Sequence, residues 1–180
     1  MRVTGGTLRG RHIEVPKQGT RPTQDRVREA LFSILGDRVP GSSFLDLFAG
    51  SGAVGLDAWS RGAETVCWIE SDAKHGALLK NNVKTLCGDD RPVILGDVFR
   101  ELEKGIDGSP FDLVFADPPY ADDCIERLVD ATRDTHLLAD DGLLVVERDE
   151  EWGEFTREGW SLSAAKRYGK THLYFLRHAP

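Results

Sequence analysis

The chain has 180 residues, 40% of them hydrophobic and 29% charged, with a formal net charge of −7. That size and balance fit one globular domain, residues 1–180, and exclude a disordered or membrane-spanning chain; no apolar leader precedes Arg2, so the expected compartment is the cytoplasm. Cys67, Cys87 and Cys124 form no Cys-x-x-Cys pair and the five histidines show no ligand spacing, so neither a disulfide framework nor a metal site is expected.

An acidic total argues against a nucleic-acid partner, but its distribution reverses that. Residues 1–28 carry Arg2, Arg9, Arg11, Lys17, Arg21, Arg26 and Arg28 against Glu14 and Asp25, a balance of +5. Residues 161–180 carry +4 and the middle −16, so two basic ends flank an acidic body. Such ends can build one basic face, or simply be solvated charge.

In chain order, residues 1–15 alternate loosely around Gly5, Gly6 and Gly10, which predicts a small β-hairpin. Thr23 then caps a helix that presents Val27, Leu31 and Ile34 on one face and stops at Gly36. These parts make an N-terminal extension, residues 1–40, ahead of a core at 41–180. From Phe44 to Phe48 an apolar run breaks into small residues and a helix from Ala53 to Arg61. Strands follow at Thr65–Glu70, Pro92–Leu95, Phe111–Ala116 and Leu143–Glu147, alternating with helices after Asp72, after Asp97 and around Ile125, Leu128, Val129 and Thr132. The alternation predicts an α/β, mostly parallel sheet with helices on both faces. Trp160–Tyr168 and Thr171–Leu176, joined by Gly169-Lys170 alone, predict an antiparallel hairpin at the sheet edge.

Asp46 to Gly55 organises the rest. Gly50, Gly52 and Gly55 satisfy G-x-G-x-x-G, and Glu70 follows Gly50 by 20 residues at the end of the next strand. A strand, glycine turn and helix N-terminus let backbone approach a ligand, and the acid suits a ribose diol. Both a dinucleotide and S-adenosylmethionine meet that description. Asp117-Pro118-Pro119-Tyr120 discriminates between them, because in a parallel sheet the loop after Ala116 opens on the same edge as the glycine turn. Asp117 and the Pro118 carbonyl can accept both hydrogens of a nucleobase amino group and aim its lone pair at a methyl donor, while Tyr120 stacks on an extruded base. The bland alternative is a rigid turn with a surface tyrosine. Asp97 either caps the following helix or accepts from an adenine amino group, and Asp46 suits the ammonium end of a methionine moiety. Cys67, Trp68 and Trp59 read as packing.

With these residues in hand, the sequence resembles the bacterial 16S ribosomal RNA guanine-N2 methyltransferases of the RsmD type. The likeness runs through Arg2-Val3-Thr4-Gly5-Gly6, Leu8-Arg9-Gly10-Arg11, Arg21-Pro22-Thr23, Asp25 to Phe32, the Asp46–Gly55 turn, Asp117–Tyr120 and Arg167-Tyr168-Gly169. It implies a class I, Rossmann-like seven-stranded sheet and S-adenosylmethionine as donor. The implied substrate is one guanine of 16S rRNA in the small subunit or its assembly intermediate, without membrane or metal. It further implies base chemistry at Asp117, Pro118 and Tyr120, and a cofactor lined by Asp46, Phe48, Ala49, Gly50, Ser51, Gly52, Glu70, Asp97 and Asp117. RNA contacts fall to Arg9, Arg11, Arg21, Arg26, Arg28 and Tyr120. The family's third strand often ends in a polar-acid pair, whereas this chain has Gly96-Asp97. The competing expectations are an adenine-N6 methyltransferase, for which 40 N-terminal residues leave little room as a target-reading domain, and a non-catalytic RNA-binding assembly factor. An NAD(P)-dependent oxidoreductase fits the glycine turn alone.

Overall fold

The computed structural model describes residues 1–16, 22–119, 122–152 and 155–179. Seven strands form one sheet: β1 (Ser43–Leu47), β2 (Thr65–Glu70), β3 (Val93–Leu95), β4 (Phe111–Ala116), β5 (Leu138–Arg148), β6 (Trp160–Tyr168) and β7 (Thr171–His178). Their spatial order is β3-β2-β1-β4-β5-β7-β6. Strands β1 to β5 pair in parallel, whereas β7 runs antiparallel to both β5 and β6. The tail therefore is the expected hairpin, with β7 inserted beside β5 and β6 left as the edge.

Strand alternation divides the interior into two cores, because successive side chains point to opposite faces. Phe44, Trp68, Leu113, Phe115, Val145 and Phe175 pack under α1 (Pro22–Leu35), α2 (Ala53–Ser60) and α3 (Ala73–Cys87). Leu45, Leu47, Ile69, Val114, Ala116 and Val146 pack under α4 (Val98–Lys104) and α5 (Asp122–Asp134). A sheet covered on both faces needs near-continuous apolar strands, which explains why charges concentrate at strand ends.

Three expectations need correction. Strand β5 runs from Leu138 to Arg148, beginning well before the expected Leu143. Helix α1 begins at Pro22, so Thr23 sits in its first turn and not before it. Its buried stripe is Val27, Leu31 and Leu35 with Phe32, while Ile34 stays 38% exposed. The N-terminal hairpin is also smaller than the alternation suggests. A single bridge joins Arg2 to His12, closed by Val3 N–H to the Arg11 carbonyl at 3.0 Å and Gly10 N–H to the Val3 carbonyl at 2.9 Å. Burial of Val3 and Ile13 against the α1–α3 core holds this segment down.

Candidate active site

The strand ends create the site. Register pairs Asp46 with Trp68 on one side and Phe115 on the other, and Phe115 with Val145. Two residues further along, on the same sheet face, come Glu70, Asp117 and Glu147. Three carboxylates thus form a row across the carboxyl edge, with Asp46 one pleat below. Asp46, Asp117 and Glu147 line a cleft of about 290 Å³ together with Phe48, Ala49, Gly50, Ser51, Ala53 and Phe115. Its other wall comes from Met1, Val15, Pro16, Gln24 and Arg28 of the N-terminal extension, with His75 of α3.

The turn between β1 and α2 shapes the floor. Phe48 leaves the strand at φ +58°, unusual for a bulky side chain, and its ring meets Phe99 edge-on at 6.2 Å. Gly50 follows at φ +56°, and a Cβ placed on it would meet nothing within 4 Å. That position serves backbone conformation and an open approach to the cleft. Gly55 serves packing instead: a Cβ there would fall 2.2 Å from Trp68 Nε1.

Each acid is held differently. Glu70 accepts from Gly50 N–H and Asp72 N–H, both at 2.7 Å, so its carboxylate is fixed against the glycine turn, where remaining lone pairs suit a diol. Asp46, 1% exposed, accepts from Gly55 N–H at 2.8 Å. Burial pushes its carboxyl up to about 8; the Gly55 bond and Arg28 act against that, the charges of Asp117 and Glu70 with it. Asp117 keeps an exposed surface yet sits among densely packed strand ends; that partial desolvation, and then repulsion by Asp149, raises it to about 6. Glu147 is raised to about 8 by burial and then by Asp117 and Asp149, with Arg28 opposing. An edge this rich in carboxyls is short of positive charge, which is the electrostatic state a cationic ligand relieves. The fit to a group carrying an ammonium, a sulfonium and a ribose diol is good on these grounds. Among the described residues no set of three His, Cys, Asp or Glu side chains is arranged to hold a metal ion, and no helix is long and apolar enough to cross a membrane.

Of the residues singled out from the sequence, Asp46, Phe48, Ala49, Gly50, Ser51 and Asp117 come together in the cleft, and Glu70 and Gly52 adjoin it through the turn. Pro118 is buried behind Asp117. Asp97 caps α4, its Oδ1 accepting from Arg100 N–H at 3.1 Å, and it is not among the residues lining this cleft. Arg9, Arg11 and Arg26 are exposed. Arg28 is not; only 5% exposed, its Nε donates to Asp57 at 2.8 Å and its Nη2 to the Arg2 carbonyl at 2.6 Å, beside Asp25 at 3.1 Å. A guanidinium so engaged ties the extension to α2 and is a poor candidate for phosphate contact. Arg21 and Tyr120 lie outside the described residues.

Three contributors are not among the residues singled out from the sequence. Asp57, fully buried, also accepts from Thr4 N–H at 2.8 Å, Thr4 Oγ1 at 2.7 Å and Gly5 N–H at 3.3 Å. Asn82, 2% exposed, donates to the carbonyls of Glu14 at 2.8 Å and Ser51 at 3.0 Å and accepts from Glu14 N–H at 3.0 Å. It therefore stitches the extension to the glycine turn. Glu147 is the third; its signal was an acid at the end of the strand following the Asp-Pro-Pro-Tyr loop.

Residues 1–177 match the family model described as Conserved hypothetical protein 95. The chain is 38% identical over 172 residues to Ribosomal RNA small subunit methyltransferase D of Escherichia coli strain K12, covering 94% of this chain and 86% of that protein. It is 34% identical to the protein of the same name from Haemophilus influenzae, covering 94% and 89%. The solved structure of "Putative methyltransferase yhhF" from Escherichia coli superposes with a TM-score of 0.86 at 35% identity, covering 100% of this chain and 99% of that one. A sheet order, a cleft and a match running almost end to end coincide, and the chain belongs to the Conserved hypothetical protein 95 family, that of ribosomal RNA small subunit methyltransferase D.

Proposed function

We propose that this chain transfers the methyl group of S-adenosylmethionine to the exocyclic N2 amino group of one guanine in 16S rRNA, within the small subunit or its assembly intermediate. The observation that carries the reading is the placement of Asp117, at the end of β4, in the same cleft as the Asp46–Gly50 turn. A ligand on the turn and a base at the loop then share one space. The names of the relatives support a methyl transfer to small-subunit rRNA.

The cofactor supplies, when bound, a methyl group on a sulfonium centre. Glu70 and the Gly50 backbone would hold its ribose end, and Asp46 its ammonium end. Asp117, raised only to about 6, is ionised at neutral pH and accepts an amino hydrogen of the base. With the Pro118 carbonyl as second acceptor, the nitrogen lone pair is turned out of conjugation and toward the methyl carbon. As the N–C bond forms and the methyl–sulfur bond breaks, its electron pair remaining on sulfur as a neutral thioether, the positive charge growing on nitrogen would be stabilised by Asp117. The surplus amino proton then leaves to this carboxylate or to water. The basic extension binds phosphate and positions the substrate without reading sequence.

Purified protein, labelled S-adenosylmethionine and undermethylated small subunits should give label at one guanine N2. Asp117→Ala should lower that rate by about 100-fold or more while subunit binding persists, in the range of losing a transition-state hydrogen-bond partner. Label on adenine N6 would overturn the substrate, and an unchanged rate in Asp117→Ala would remove Asp117 from the mechanism.

A further inference from the structure

The methyl-transfer reading uses Asp117 and leaves Glu147, its neighbour across the sheet, without a task. The two belong together by construction. Ala116 of β4 pairs with Val146 of β5, so the next residue of each strand, Asp117 and Glu147, lies on the same face, on adjacent strands about 4.8 Å apart. Both line the cleft. Burial and the charges of Asp117, Asp149 and Arg28 account for the behaviour of the Glu147 carboxyl, and no hydrogen bond among the described residues does. The neighbouring row is otherwise committed: Glu70 to Gly50 and Asp72 N–H, Asp46 to Gly55 N–H. Glu147 thus faces the open cleft half-buried, with no protein hydrogen bond to it among the described residues, and is available to a ligand group there.

The chemistry beside Asp117 says which group. If Asp117 holds the amino group of a purine, the next atom along the base edge lies one ring bond away, within reach of the adjacent strand. On guanine that atom is N1–H, a donor, and beyond it O6, an acceptor. On adenine held by N6 it is N1, an acceptor, followed by C2–H. We propose that Glu147 is the specificity-determining residue of the site, accepting guanine N1–H on one carboxyl oxygen and presenting the other to O6. This assignment rests on the guanine-N2 reading above.

A carboxyl held up to about 8 is mostly neutral at pH 7, and in that form it has one acceptor oxygen and one hydroxyl donor. It complements N1–H and O6 together, giving two hydrogen bonds to guanine and at most one to a purine lacking O6. A missing buried bond of this kind discriminates by one to two orders of magnitude or more. Glutamine reproduces the same acceptor–donor pair, whereas alanine removes both.

2-Aminopurine separates the parts, because it keeps the amino group that receives the methyl but has a bare N1 and no O6. Small subunits rebuilt from ligated 16S rRNA would carry either guanine or 2-aminopurine at the mapped target, and kcat/KM for methyl transfer would be compared. The wild type should prefer guanine by about 30-fold or more. Glu147→Gln should keep that preference, and Glu147→Ala should reduce it to within about threefold, chiefly by losing rate on guanine. Thermal melts of both variants establish that they fold. A preference kept in Glu147→Ala, or lost equally in Glu147→Gln, overturns the assignment. Failure of the wild type to label guanine at all would be a different result, overturning the guanine-N2 reading and this assignment with it.

Discussion

Arg28→Ala is the substitution that most sharply divides the charge pattern from the folded structure. If Arg28 were a phosphate contact on a solvated face, its removal would barely change stability, since exposed ion pairs contribute about 0–1 kcal/mol. The structure buries it to 5% against Asp57, which is fully buried, and breaking a buried pair costs about 3–5 kcal/mol. Asp57 keeps Thr4 N–H, Thr4 Oγ1 and Gly5 N–H as donors, so its charge would not be stranded and the lower end applies. Loss of the bond to the Arg2 carbonyl adds to it. The expected cost is about 3 kcal/mol, which for a chain of this length lowers the melting temperature by roughly 6–12 °C. The assay is a thermal melt of wild type, Arg28→Ala and Arg28→Lys, paired with RNA binding across a salt series. Because Arg28 also faces the cleft, methyl transfer should fall as well, through displacement of the wall formed by Met1 and Val15. A melt within about 1 °C of wild type, with a salt slope shallower by about 1, would refute the buried-clamp argument and restore the phosphate contact.

Two other expectations follow from the same wall and the same acids. Asn82→Ala removes three hydrogen bonds that join Glu14 to the Ser51 carbonyl, and should cost about 2 kcal/mol and speed limited proteolysis within residues 1–16, which peptide mapping reads directly. The carboxyls of Asp46 and Glu147 lie at about 8, well above their unfolded values, so between about pH 4 and pH 8 the folded protein binds more protons than the unfolded chain and stability falls as pH rises. Denaturant melts at pH 5 and pH 8.5 should differ by roughly 2 kcal/mol or more. Asp46→Asn combined with Glu147→Gln should flatten that difference, and an identical pH profile in the double variant would sink the claim.

How much of this could be read from the chain depends on whether the determining contact is local. Strands β2 and β4 occupy the expected residues because each is a short apolar run bounded by charged or turn-forming neighbours. Helix α5 buries Ile125, Leu128, Val129 and Thr132, the face its periodicity marks. The error on α1 has a tertiary cause: the helix enters the core through Val27, Leu31 and Leu35 with Arg28 and Phe32 alongside, and Ile34 falls outside that stripe. Arg28 itself could not be placed from local pattern, since its partner Asp57 is 29 residues away and reads as an ordinary helix-surface acid. Asp97 shows the opposite limit, for a cap and a ligand contact demand the same residue at the same place; the structure shows the cap, through Arg100 N–H to one carboxylate oxygen. Glu147 was legible in principle. Alternation puts it on the face of Val145, and the order β4-β5 puts that face beside Asp117, but the order of strands is a property of the sheet.

The charge split also acquires a physical meaning. Part of the acidity of the chain's middle sits at one edge of the sheet, on Asp46, Glu70, Asp117 and Glu147, where each carboxyl is held by strand geometry. The exposed arginines Arg9 and Arg11 sit on the segment whose Met1, Val15 and Pro16 form the opposite wall of the cleft. For RNA as the proposed substrate the two fields act in opposite directions. The phosphate backbone is attracted to the extension and repelled by the ionised Asp117, so a duplex brings its own charge against that carboxylate on entering the site. A single extruded base is neutral and carries amino and imino donors on its edge, which an acid-lined cleft favours. On this argument the net charge of −7 no longer counts against an RNA partner. Ionised Asp117 repels the backbone, while the mostly neutral carboxyls of Asp46 and Glu147 keep hydrogen-bonding oxygens for the methyl donor and one base.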